Sequence, residues 1–181
     1  DFPEVTLVGV LAADMSLNAA DYRCAERTFQ LLTQAVGRSG RGEKPGKAMI
    51  QTYHPDHYSI QAASCQDYEA FYQEEMSYRI LLDYPPASHM LAVLGACEEE
   101  EQLLKGMYYI GQFVKKVYHG DGLHIIGPAS APVGKVKDVY KQVLYLKHED
   151  YHILVNIKDK IEKYMEINSG FRKLYIMFDY Q

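Results

Sequence analysis

Apolar residues come in two rhythms along this chain, and the change between them falls near Pro86. Val5–Leu11 is an unbroken apolar run led by β-branched residues, the pattern of a strand buried on both faces of a parallel sheet. Asp14 closes that run. Between Tyr22 and Gln34 the apolar positions 25, 29 and 32, continued by 36, have helical spacing, and Asn18 or Asp21 is placed to cap the helix. A Gly/Lys/Pro loop over Gly40–Gly46 follows, and Lys47–Tyr53 reads as a second strand. Strand, helix, loop and strand make a βαβ unit, the closing half of an α/β lobe. Helices are expected over about Ser59–Gln66 and Tyr68–Leu82, stopped by Tyr84-Pro85-Pro86 because proline ends a helix before itself.

Beyond Pro86 the expected order is strand Met90–Gly95, helix Glu98–Tyr118, strands His124–Ile126 and Val139–Lys147, helix Tyr151–Ile167 and strand Leu174–Phe178. That β-α-β-β-α-β order is a split βαβ, ferredoxin-like α+β sandwich. The expected division is therefore residues 1–86, an α/β part, and 87–181, a βαββαβ domain. There is no internal repeat and no low-complexity tract.

Bulk composition narrows the class. Of 181 residues 48% are hydrophobic and 24% charged, which suits a folded globular protein. No apolar run approaches the roughly 20 residues that span a bilayer. Cys24, Cys65 and Cys97 are odd in number and far apart, which points to reduced thiols in a cytoplasmic protein. With neither an initiator Met nor a signal-peptide pattern, the sequence is expected to be cut from a longer chain. The net charge of −5 does not advertise nucleic-acid binding, but its acid is local, in Glu98–Glu101. Bases gather at Lys135, Lys137, Lys141 and Lys147, and a local patch decides affinity for a polyanion.

Gln34-Ala-Val-Gly-Arg-Ser-Gly-Arg41 carries the most chemistry. Glycine permits turning and close approach, and arginine offers a planar, always-charged fork for phosphate oxygens. Arg38 and Arg41, where a buried helix runs out, form a candidate phosphate clamp. Gly40–Lys47 is not a Walker loop, because the required first glycine is Arg41 and Ala48 supplies no hydroxyl for magnesium. No Asp-Glu box occurs either, so the elements that bind a nucleotide triphosphate and its magnesium are lacking from this sequence. His148-Glu-Asp-Tyr-His152 satisfies the zinc-protease pattern but falls at a strand–helix turn, and His54-Pro-Asp-His57 with Cys65 lies in a proline loop; neither is expected to hold metal.

The order Q-x-x-G-R-x-G-R resembles the last signature motif of superfamily-two helicases. The wider string resembles the primosomal replication-restart helicase family: Val5–Asp14, Ala25–Gln34, Ile50-Gln-Thr-Tyr, Asp67–Tyr72, Tyr84-Pro-Pro and Ile126-Gly-Pro-Ala stand in that family's order. The resemblance implies a RecA-like helicase lobe ending near Pro86, with Arg38 and Arg41 acting on the nucleotide γ-phosphate. It implies that Gln34 and Gly37 shape that surface and that Asp14 couples it to the DNA side. ATP and magnesium would be used by the full-length protein. Zinc would sit in a cysteine-rich module upstream, to which none of the three cysteines belongs. The second domain, similar to a ribosomal-protein module, would dock DNA and the acidic tail of single-stranded-DNA-binding protein through Lys135, Lys137, Tyr140, Lys141 and Gln142. Lysines stand here where the family often has arginines, and a lysine-decorated edge strand that deters aggregation is the competing account. Implied partners are forked and single-stranded DNA and other primosome proteins in a bacterial cytoplasm, with no membrane. Two alternatives stay open: a non-catalytic docking module, and the tail of another translocase of that superfamily.

Overall fold

The computed structural model describes residues 5–39 and 45–181. The chain divides into two compact units, Asp1–Tyr78 and Arg79–Gln181. In the first, β1 (Leu7–Val10) pairs in parallel with β2 (Lys47–Ile50), Leu7 opposite Lys47 and Val10 opposite Ile50. Between them come the short α1 (Asp14–Leu17) and the crossover helix α2 (Cys24–Val36), followed by α3 (Tyr58–Cys65) and α4 (Tyr68–Leu81). The helical spacing is reflected in the packing, for Ala25, Phe29 and Leu32 are all buried. Phe29 stacks on Phe71 of α4 with ring centroids 4.3 Å apart, and Ile60, Ala62 and Ala63 of α3 complete that core.

Two expectations for this unit fail. The first strand is not buried on both faces: Val10 and Ile50 pack against the core while Leu7 and Met49 stay 59% and 66% exposed. Only one face of the two-stranded sheet is covered among the described residues. Neither Asn18 nor Asp21 caps α2, whose N-cap is Arg23 without a side-chain bond. Asp21 instead accepts from the Arg23 backbone N–H at 2.9 Å and pairs with Arg27 at 2.9 Å, because a tight turn separates it from the helix start.

The second unit has the expected order: β3 (His89–Cys97), α5 (Glu100–Val117), β4 (His124–Val136), β5 (Val139–His148), α6 (Tyr151–Ile167) and β6 (Tyr175–Tyr180). Its four-stranded sheet runs β4-β5-β3-β6 with every neighbouring pair antiparallel, which is the split βαβ arrangement. On one face Leu91, Val93, Leu144 and Leu146 meet Leu103, Met107, Ile110 and Val114 of α5 and Leu154, Ile157 and Ile161 of α6. Each such Leu or Ile contributes about 1.5–3 kcal/mol by leaving water.

The other face has rows fixed by register. Tyr175, Ala96 and Lys141 share one, Met177, Leu94 and Val143 the next, and Asp179, Ala92, Tyr145 and Ile126 the third. At its far end lie Met90, Lys147 and His124, where Lys147 meets residues 82–84. β4 is much longer than the expected His124–Ile126. Gly127, Pro128, Pro132 and Gly134 hide it from an alternation test, and two register shifts absorb the misfit on an edge strand, where proline is tolerated.

Candidate phosphate and polyanion sites

Helix α2 does not stop sharply at its glycine. The Gly37 N–H donates to Thr33 O at 2.9 Å, Arg38 N–H to Ala35 O at 3.1 Å and Ser39 N–H to Val36 O at 3.1 Å, so the coil continues through Ser39. Gly37 has a helical φ of −65°, so no special glycine conformation is used there, contrary to the turning role expected of it. Gln34 and Arg38, four apart, share one exposed face of this last turn. The Arg38 guanidinium pairs with no acid among the described residues. Arg41, the second arm of the candidate clamp, lies outside the described residues.

Asp14 stands elsewhere. A crossover helix returns the chain from the C-terminal edge of one parallel strand to the N-terminal edge of the next. Arg38 therefore lies at the edge where β2 begins, and Asp14 at the edge where β1 ends. Asp14 is buried; its carboxylate accepts from the Thr52 hydroxyl at 2.5 Å and the Tyr53 N–H at 2.9 Å. The Thr52 hydroxyl, with the Tyr53 N–H, holds the Asp14 carboxyl below the usual carboxylate range. Asp14 thus clasps the exit of β1 to the exit of β2. Sequence reasoning missed a second clasp nearby: the Tyr58 hydroxyl donates to the buried Glu75 carboxylate at 2.6 Å, and burial pushes the Tyr58 phenol up.

The basic segment of the second unit is split by the strand's two faces. Val136 pairs with Val139, so Lys137 and Asp138 form a two-residue hairpin turn with φ of 48° and 63°, the left-handed pair that matches strand twist. Lys137 is exposed at that tip. Lys135 is held beside it, its Nζ 3.0 Å from Asp138 Oδ1 and 4.7 Å from the centre of the Tyr140 ring. Its pKa is raised, chiefly by the bond to Asp138. Lys141 points to the face without helices and is exposed. Tyr140 packs against the core on the helix side. Gln142 lies on that side too, 8% exposed and opposite Gly95, so its amide is inaccessible to a ligand. Lys147 leaves the basic group as well: it is 4% exposed, its Nζ donates to Leu82 O at 2.9 Å and it sits 3.4 Å from the Tyr84 ring centre. Alternation along β5 puts Lys141 and Lys147 on one face and Tyr140 and Gln142 on the other.

The histidine motifs serve as local scaffolding. Asp150 caps α6 by accepting from the His152 N–H at 2.8 Å, and His148 Nδ1 accepts from the Asp150 N–H at 2.8 Å. His57 caps α3 by accepting from the Ser59 N–H at 3.3 Å. Among the described residues no three His, Cys, Asp or Glu side chains are grouped to hold a metal ion, and no helix is long and apolar enough to cross a membrane.

Residues 81–180 match the family model described as the primosomal protein N C-terminal domain, and that match takes in the whole β3–β6 sandwich. The chain is 45% identical over 161 residues to the replication restart protein PriA of Bacillus subtilis (strain 168), covering 89% of this chain and 20% of that protein. The chain belongs to the PriA family. The Synechocystis (strain PCC 6803) member is 39% identical over 151 residues, covering 83% of this chain and 18% of that protein. The Thermotoga maritima member is 35% identical over 165 residues, covering 91% and 21%. This chain therefore corresponds to about a fifth of the length of its curated relatives, and the shared region reaches into both units.

Proposed function

We propose that the chain is the C-terminal part of an ATP-dependent DNA helicase that acts in replication restart, a role taken from the printed names of its relatives. The first unit would be the closing part of a RecA-like second helicase lobe. The observation that carries this reading is the last turn of α2, where Gln34 and Arg38 share an exposed face at the end of a βαβ crossover. The chain's own residues would supply two cations to the outer oxygens of a γ-phosphate bound by another lobe. A bound ATP with magnesium would supply the phosphoryl group; the triphosphate loop is absent from this sequence. An arginine so placed is worth about 10³–10⁵ in rate. Zinc would belong to a module outside this chain. The second unit would dock forked or single-stranded DNA, the tail of single-stranded-DNA-binding protein and other primosome proteins, with Lys137 and Lys141 as its accessible cations.

The test uses the full-length protein. Arg38→Ala and Arg41→Ala, each separately, should lower DNA-stimulated ATP hydrolysis by at least about 10³-fold. Forked-DNA affinity should stay within about threefold, since neither residue would touch DNA. Hydrolysis at the unsubstituted rate, or equal loss of hydrolysis and DNA binding, would overturn the assignment.

A further inference from the structure

One stretch of the second unit has no account in its core. Between Ser130 and Lys135, β4 takes five residue steps while β5 takes two, from Gln142 to Tyr140. The surplus residues leave the ladder as a bulge, with Pro132 exposed and Val133 61% exposed; just past it Val136, back in the ladder opposite Val139, is 39% exposed. Folding gains nothing from an apolar side chain left in water. The bulge is also held in place: Pro132 fixes its own φ, the left-handed pair Lys137 and Asp138 closes the turn, and Lys135 is clasped to Asp138 and Tyr140.

Charge identifies the class of partner. Residues 130–142 hold three lysines against one aspartate, in a chain whose net charge is −5. A firm apolar tip beside free lysines fits a polyanion that also offers apolar faces, which is a nucleic acid. The kind of contact follows from the side chains. The exposed tip is aliphatic, and the Tyr140 ring is taken up by Lys135 and the core, so the tip offers no aromatic platform for single-stranded bases. Aliphatic side chains and proline act on nucleic acids as wedges against a base step.

We propose that Pro132, Val133 and Val136 form a wedge that packs against the last base pair where a duplex ends or branches, with Lys137 and Lys141 on the flanking phosphates. This rests on the DNA-docking reading above and adds to it the mode of contact. The bulge, its proline and the lysines would also suit a guarded edge strand; the exposed valines would not.

The experiment uses the 181-residue chain and a forked duplex with 2-aminopurine at the junction pair, the same strands as a continuous duplex serving as control. Binding to the fork should raise 2-aminopurine emission several-fold, and binding to the control should not. Val133→Ser with Val136→Ser should remove that rise while leaving the melting temperature unchanged and fork affinity within about threefold, because phosphate contacts dominate affinity. Lys137→Glu with Lys141→Glu should weaken fork binding at least tenfold at low salt and flatten the salt dependence, since about two phosphate contacts are lost. If the lysine pair matters but emission does not rise, or rises unchanged in the serine variant, the wedge is wrong and DNA docking survives. If the folded glutamate variant binds like the original, DNA docking through this hairpin is wrong and the wedge falls with it. Capture of an acidic octapeptide by a chain that leaves the fork unbound would assign the tip to a protein partner and overturn the proposal.

Discussion

Lys147 is a buried cation whose purpose is local, and replacing it with Met should separate local from global stability. Its ammonium donates to Leu82 O at 2.9 Å and lies 3.4 Å from the Tyr84 ring centre, fixing residues 82–84 across one end of the sheet. A hydrogen bond from a charged group contributes about 1.5–3 kcal/mol, and a desolvated cation–π contact about 2 kcal/mol. Against this, taking an ammonium out of water costs several kcal/mol. The opposing amounts are similar, so Lys147→Met should change global unfolding by less than about 1.5 kcal/mol, as a volume-conserving replacement of a buried ion does. The segment over it loses only attraction, and Leu82 O loses a donor that water can replace once the segment lifts. Taking the low end of both contacts, opening becomes easier by about 3.5 kcal/mol, roughly a 300-fold rise in the open population.

The readout is hydrogen exchange at amides that the fold holds inside the segment. The Tyr84 N–H donates to Arg79 O at 2.8 Å and the Ala87 N–H to Tyr84 O at 3.0 Å. Both should exchange about 300-fold faster in the Met variant, while the denaturation midpoint hardly moves. Unchanged protection at both would refute the reasoning, and so would a fall in global stability matching the local one. The titration has a definite sign. Burial holds the Lys147 pKa below its ordinary 10.5, so between the lowered value and 10.5 the unfolded chain binds more protons than the folded one. Stability relative to the Met variant should therefore rise with pH across that window.

Other side chains give further tests. Tyr58→Phe removes the phenol that donates to Glu75 at 2.6 Å and should cost the first unit about 1.5–3 kcal/mol by urea denaturation; a loss below about 0.5 kcal/mol would mean the carboxylate is satisfied without it. Asp14 has a pKa lowered from 3.8, chiefly by the Thr52 hydroxyl, so its contribution is present in full above 3.8 and fades as pH falls through the lowered value. Exchange at the Tyr53 amide should speed up over that acid range, and should already be fast at neutral pH in Asp14→Ala; slow exchange in that variant would contradict the clasp.

What the sequence revealed depended on whether a period was carried by side chains or broken by backbone. Helices α2, α5 and α6 were legible because positions such as 25, 29 and 32 repeat at helical spacing and are buried. The β3–β6 order was legible for the same reason, since Leu91, Val93, Leu144 and Leu146 alternate onto one face. β4 was not, because two prolines and two glycines interrupt its alternation and the register shifts exist only in three dimensions. The candidate polyanion site was half legible. Its lysines are visible in the sequence, but the burial of Gln142 and Lys147 depends on which face of β5 each takes and on what residues 82–84 cover. Asp14 was noticed, but its bond to Thr52 spans 38 positions, beyond any local pattern.

The uncovered face of β1 and β2 bears most directly on what the first unit is. Parallel strands normally have both faces covered, yet Leu7 and Met49 are 59% and 66% exposed on a sheet with only two strands described. If the unit is the closing part of a larger α/β lobe, the rest of that lobe covers these side chains in the full-length protein. Met49→Glu then has two different consequences. In the 181-residue chain the glutamate stays in water and should shift stability by no more than about 0.5 kcal/mol. In the full-length protein the same carboxylate would be buried without a partner and should cost several kcal/mol, lowering the melting temperature of that lobe. The comparison needs no substrate, so it is independent of the arginines. A small effect in both proteins would show that the face stays in water and that the first unit is not the closing part of a covered sheet. A large effect in both would show that Met49 is packed within this chain itself.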